Sequence, residues 1–239
     1  MIKRIINAWR LNLSELYVTL FFMLVFDIIG MIIVAVVLKF DTESAYATQG
    51  TLFAVIVGIF ANVIMGVIAF PYNFNMNVSL GCTRKEFLIV EGITAYLNII
   101  VETLAVMVLY FVETALGKVL YAGKECENLI AVLMKLRIVP VVILMLPAMM
   151  MFGGAVILKF KKYAYWVLWG MWMLFFTGCG KLADYIEENP GSIVAKVCYE
   201  IADFVTGMSD VALIAVLFVI ACIFMTGTVL LVRKQPVEA

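Results

Sequence analysis

The chain has 239 residues, 65% of them apolar and only 14% charged, with a mean hydropathy of +1.10; a soluble domain carries about a quarter charged residues. Seventeen basic and seventeen acidic residues cancel, and there is no histidine. No bulk field therefore favours nucleic acid, and His-based acid–base chemistry and His-ligated zinc or haem are excluded.

The apolar residues gather into runs of the roughly 20 residues that a helix needs to cross a bilayer. The expected class is an all-α polytopic membrane protein, one transmembrane domain over residues 1–239. In chain order, "MIKRIINAWRLNLSEL" (1–16) places Ile2, Ile5, Ile6, Trp9 and Leu13 on one helical face with Lys3, Arg4 and Arg10 off it. That pattern predicts a basic helix lying on the cytoplasmic interface. The run at 17–38 is too long for a signal-peptide core and reads as the first span. Five more spans are expected, at about 51–70, 93–114, 138–158, 163–180 and 211–232. The fourth carries Pro140 and Pro147, which membrane helices tolerate when neighbours satisfy the freed carbonyls.

The connection at 181–209 is amphipathic rather than spanning. Asn189-Pro190-Gly191 breaks it, and Ser192 can cap a second helix. Ile193, Val194, Val197, Ile201, Phe204 and Val205 then form an apolar stripe of about 15 residues, too short to cross. A helical hairpin, on or dipping into the outer half of the membrane, is expected there.

Lys and Arg in short flanks set orientation. With the N-terminus inside, Lys3, Arg4, Arg10, Arg84, Lys85, Lys159, Lys161, Lys162, Arg233 and Lys234 fall on the cytoplasmic side, and acids such as Asp41, Glu43, Glu125 and Glu127 outside. Both termini are expected to be cytoplasmic. Five cysteines (Cys82, Cys126, Cys179, Cys198, Cys222) lack a CxxC spacing, so no metal or redox motif is read and no pairing can be deduced.

Acids inside the spans need an explanation, because they are costly in a membrane and usually face a protein interior or a watery cavity. Glu91, Glu102 and Glu113 recur every eleven residues, which drifts only about 20° per step around a helix, and Asn98 falls on the same face. Asp27 sits at mid-depth of span 1. Asp27, Asn98 and Glu102 are candidates for a translocation path or a dimer interface; hydrogen bonding to neighbouring helices is the plainer alternative. The stretches "YAYWVLWGMWMLFF" and "LMLPAMMMFGG" could offer an adaptable surface to apolar cargo, or face lipid.

Between spans 2 and 3, the cytoplasmic segment 71–90 contains "NVSLGCTRKEF". Gly81 permits a left-handed backbone, Thr83 can cap a helix, Arg84 and Lys85 offer charge-assisted contacts, and Leu80 and Phe87 can anchor in an apolar pocket. The segment "SLGCTRKEF", with the order of interfacial helix, six spans and outer hairpin, resembles the membrane (permease) subunit of an ABC-2-type ABC transporter over nearly the whole chain. The resemblance implies a coupling helix here, with Leu80, Gly81, Thr83, Arg84, Lys85, Glu86 and Phe87 touching an ATPase subunit; "KFKK" (159–162) would be a second contact or a plain topology signal.

The resemblance further implies two ATPase copies, holding ATP and Mg, and a second permease chain, identical or different. The setting would be the bacterial plasma membrane, and the cargo a hydrophobic or amphipathic peptide, as in bacteriocin-immunity and phenol-soluble-modulin exporters. The chain has no GxxxxGK[ST] phosphate loop; it binds no cofactor on this reading and is not itself an enzyme. Rival readings are an ion-coupled secondary transporter using Glu102 and Asp27, and a passive membrane immunity protein. A histidine-dependent intramembrane protease is ruled out by composition.

Overall fold

The computed structural model describes residues 2–40, 46–121, 126–127 and 138–236. The outer-loop acids Asp41, Glu43 and Glu125 lie outside the described residues. The helices, in chain order, are α1 (Ile2–Phe40), α2 (Gln49–Ser79), α3 (Arg84–Leu120), α4 (Ile138–Phe160), α5 (Lys162–Glu188), α6 (Ile193–Gly207) and α7 (Asp210–Val232). Two short strands, β1 (Tyr46–Ala47) and β2 (Cys126–Glu127), pair in parallel.

The interfacial helix expected at 1–16 is not a separate element. Its backbone runs without a break into the first span, making α1 39 residues long. No proline, glycine or capping residue intervenes to stop it. Pro71 lies inside α2 and Pro147 inside α4, whereas Pro140 sits in the first turn of α4, where its missing N–H costs little.

Small residues let these helices approach closely. A Cβ on Gly30 would sit 2.5 Å from Gly50 Cα, and one on Gly154 would sit 2.4 Å from Phe70 Cβ. Such contacts also give helix directions. Gly30 meets Gly50 while Met23 meets Gly58, so α1 and α2 are antiparallel. Gly66 meets Met150 and Gly154 meets Phe70, so α2 and α4 are parallel. Phe152 stacks on Phe224 at 5.3 Å, and Leu158 shares a cluster with Val232, so α4 and α7 are parallel too. Two parallel helices need a return between them. Only α5 and α6 are available for it, and the 27 residues of α5 span about 40 Å.

The distribution of polarity is the reverse of a soluble protein's. Asp27, Thr48, Thr51, Asn62, Glu102 and Glu113 are buried, while Phe21, Ile32, Val108, Phe111 and Phe218 are exposed. So extensive an apolar exterior requires lipid. Among the described residues five stretches are long and apolar enough to cross a membrane: Leu13–Phe40, Gln49–Ser79, Arg84–Leu120, Val139–Phe160 and Asp210–Val232. The chain is a helical, multi-pass membrane protein. The span expected at 163–180 lies within α5, which is long enough but is not one of the five. Its tyrosines and tryptophans are interface-type residues that dilute its apolar character; Tyr163, Trp166 and Trp169 are exposed.

Residues 189–209 form a turn and the 15-residue α6, capped by Ser192, whose hydroxyl accepts from Ala195 N at 3.1 Å. The Met-rich stretch of α4 packs inward: Met150 and Met151 are buried, and they rest against Gly66 and Gly92. They serve packing here. Cys82, Cys198 and Cys222 carry no disulfide.

Candidate functional site

The acids of α3 are one half of a ladder whose other half is on α2. Glu113, Glu102 and Glu91 face Thr51, Asn62 and Asn73, and both sets are spaced by eleven residues, in opposite chain directions. Eleven residues are close to three helical turns, so two nearly straight antiparallel helices bring the same faces together at each rung.

At the outer rung, Glu113 Oε1 accepts from Gly50 N at 2.9 Å, and Oε2 accepts from Thr51 N at 2.8 Å and from the Thr51 hydroxyl. Gly50 and Thr51 lie in the first turn of α2, where backbone N–H groups lack helical partners. Thr48 stands at the N-cap but makes no side-chain cap bond, and its buried Oγ1 has no partner. The carboxylate from α3 supplies the cap instead, at the end of the helix dipole that favours negative charge. A Cβ on Gly50 would lie 2.6 Å from Asp27 O and 2.9 Å from Glu113 Oε1, so only glycine admits both neighbours. Asp27 is 1% exposed, and its Oδ1 has no hydrogen-bond partner.

At the middle rung Asn62 Nδ2 donates to Glu102 Oε2 and also to Gly58 O at 2.8 Å. At the inner rung the contact between Asn73 and Glu91 is long, 3.4 Å. Between these two rungs a cavity of about 50 Å3 opens, lined by Glu15, Asn62, Glu91, Asn98, Glu102 and Met150 among others. Asp27 and Glu102 are thus buried between the helices of a single chain, and Asn98 is half-buried on the cavity wall. None of the three is presented on an outer face. Among the described residues no three His, Cys, Asp or Glu side chains converge as a metal site.

The segment 71–90 forms no helix of its own. It is the tip of the α2–α3 hairpin: α2 runs to Ser79 and α3 starts at Arg84. Gly81 takes φ +90°, the left-handed conformation that glycine adopts without strain. Thr83 and Glu86 form a capping box, Glu86 N donating to Thr83 Oγ1 at 3.2 Å and Thr83 N to Glu86 Oε2 at 3.1 Å.

The seven residues expected to meet a partner divide. Leu80 is 79% exposed, and Gly81, Thr83 and Lys85 are also exposed. Glu86 is half-buried in its cap. Arg84 is half-buried and its Nη2 donates to Gln235 O at 2.7 Å, tying the tip to the chain beyond α7. Phe87 is 2% exposed and is removed from the contact set: its ring stacks on Phe70 at 5.4 Å and Phe74 at 5.5 Å. An aromatic beside a basic turn has the chemistry of an interface anchor, but a core stacking partner has the same chemistry.

That core also contains Leu158 and Val232, so the hairpin tip, the α4–α5 corner and the end of α7 share one end of the bundle. The α4–α5 corner turns on Lys161 at φ +51°. Arg84, Lys85, Lys159, Lys161, Lys162, Arg233 and Lys234 make this the basic end. Comparison with known protein families, curated proteins and solved structures finds no match.

Proposed function

We propose that this chain is the membrane subunit of an ATP-driven exporter of the ABC-2 type, moving a hydrophobic or amphipathic peptide outward with energy from a separate ATPase. Its part is mechanical, and the hydrolysis belongs to the partner. The observation that carries this reading is the hairpin tip. Four residues reverse the chain between two long helices, a capping box and a left-handed glycine fix the turn, and Leu80 and Lys85 are left exposed on it. A stroke received at such a tip passes into α2 and α3 without being absorbed by a flexible loop.

The basic end supports a cytoplasmic setting by the positive-inside rule. The parallel course of α4 and α7 supports α5 as the sixth crossing, with both termini cytoplasmic. A working unit would pair this chain with a second permease chain and two ATPase chains. The cavity is too small for peptide cargo, so cargo would pass along a surface formed with the second chain.

The test is purification in mild detergent from the native host, comparing the unmutated chain with Leu80→Ser/Lys85→Glu. These positions are exposed, so the double variant should fold and elute normally. Co-purification of a P-loop ATPase with the unmutated chain, lost in the variant, is the expected result. Absence of any ATPase from the unmutated sample would overturn the proposal.

A further inference from the structure

We propose that the cavity enclosed by α1–α4 is a binding site for one monovalent cation, sodium or hydronium, coordinated by Glu102 and Asn62 and balanced by Glu15 and Glu91. The inference is independent of the ATPase reading, since it concerns the membrane chain alone.

The lining is rich in acceptors. Glu102 is 6% exposed and uses one carboxylate oxygen to accept from Asn62. Asn62 is 8% exposed and spends its amide N–H groups on Glu102 and Gly58 O. The remaining oxygen of each side chain has no hydrogen bond within the described residues, and both residues line the cavity. The Thr94 hydroxyl, also on the wall, already donates to Val90 O at 2.8 Å. Two buried acceptors left without donors call for a ligand that donates or carries positive charge.

Charge agrees. The charged groups on the cavity wall are Glu15 from α1 and Glu91 and Glu102 from α3; α2 contributes Asn62 and α4 Met150, and no lysine or arginine lines it among the described residues. Acids at membrane depth require a counter-charge or a proton.

Size and geometry narrow the ligand. A cavity of about 50 Å3 admits a small ion with a water molecule or two. The acids do not converge as a metal-chelating group, which disfavours a dry divalent site and suits a singly charged, partly hydrated ion.

The experiment is thermal unfolding of the full chain in detergent, with sodium chloride against choline chloride at equal ionic strength, and then with a falling pH series in choline. A ligand that binds only the folded state raises the midpoint. Saturating sodium should raise Tm by roughly 3–5 °C; if hydronium is the occupant, acidification in choline should do so instead. Either rise should vanish in Glu102→Gln, which keeps an oxygen for Asn62, and Glu91→Gln should need roughly tenfold more of the cation for the same rise. No shift in the unmutated protein with either cation, which would mean water alone in the cavity, overturns the proposal. So does a shift of equal size in Glu102→Gln. Should Glu102→Gln fail to fold, the unmutated arms and Glu91→Gln decide.

Discussion

Leu80 and Phe87 are seven residues apart and both large and apolar, yet one points away from the protein and the other is sealed inside it. The difference is tertiary. Phe87 lies one turn into α3 and meets Phe70 and Phe74 across the hairpin, while Leu80 caps α2 at the turn. Phe87→Ala should lower the unfolding free energy in detergent by about 3–5 kcal/mol, the range for emptying an aromatic core site. Leu80→Ser should change it by less than about 0.5 kcal/mol. Denaturant titration of both variants in one detergent checks the contrast, and equal losses would show that Phe87 is not core.

Glu113 makes a second case at this scale: its three hydrogen bonds end on the first turn of α2. Glu113→Ala leaves buried backbone donors unmatched and should cost about 1–3 kcal/mol, measurable in the same titration. Glu113→Gln, which still offers one acceptor, should lose less.

At the scale of elements, α2 and α3 are joined by polar rungs as well as by apolar packing. The eleven-residue period of the acids on α3 is legible in the sequence, and it places Glu91, Glu102 and Glu113 on one face. The same period in Thr51, Asn62 and Asn73 is the signal that identifies their partners. It is fainter because threonine and asparagine are unremarkable one at a time, and because pairing needs the hairpin register as well as the spacing. The capping role of Glu113 could not be read this way, since it depends on where α2 begins.

A double-mutant cycle tests the middle rung. Asn62→Leu and Glu102→Leu should each destabilise the hairpin by leaving the other side chain buried and unpaired. The double variant should cost less than the two single losses together, by about 0.5–3 kcal/mol of coupling. Strict additivity would mean that the rung contributes nothing as a pair. Boundaries are the least legible feature. Apolar runs locate the cores of the spans, but α1, α2 and α3 run well beyond those cores because nothing in the flanking sequence stops a helix until Thr83 or Ser79 is reached.

For the whole molecule, the alternation of helix directions and the gathering of Arg84, Lys85, Lys159, Lys161, Lys162, Arg233 and Lys234 at one end define an oriented bundle. The class and the apolar runs are legible from composition alone. The interior is not, because exposed apolar side chains in a membrane protein leave no amphipathic pattern to show which face turns inward.

The crossing by α5 has its own test. In a background without native cysteines, Gly191→Cys should react with a membrane-impermeant maleimide added to intact cells, and Lys161→Cys only after permeabilisation. Equal reactivity at both positions would place α5 along the membrane surface instead.

The central claim is that the α2–α3 tip receives a separate ATPase. It is tested most directly by replacing Leu80 with p-benzoyl-phenylalanine and irradiating membranes of the native host. The account predicts a cross-linked product whose second chain carries a GxxxxGK[ST] motif, identified by peptide mass, with no such product from the same substitution at lipid-facing Phe218. Cross-links from position 80 to lipid alone, in membranes where the ATPase is present, would contradict it.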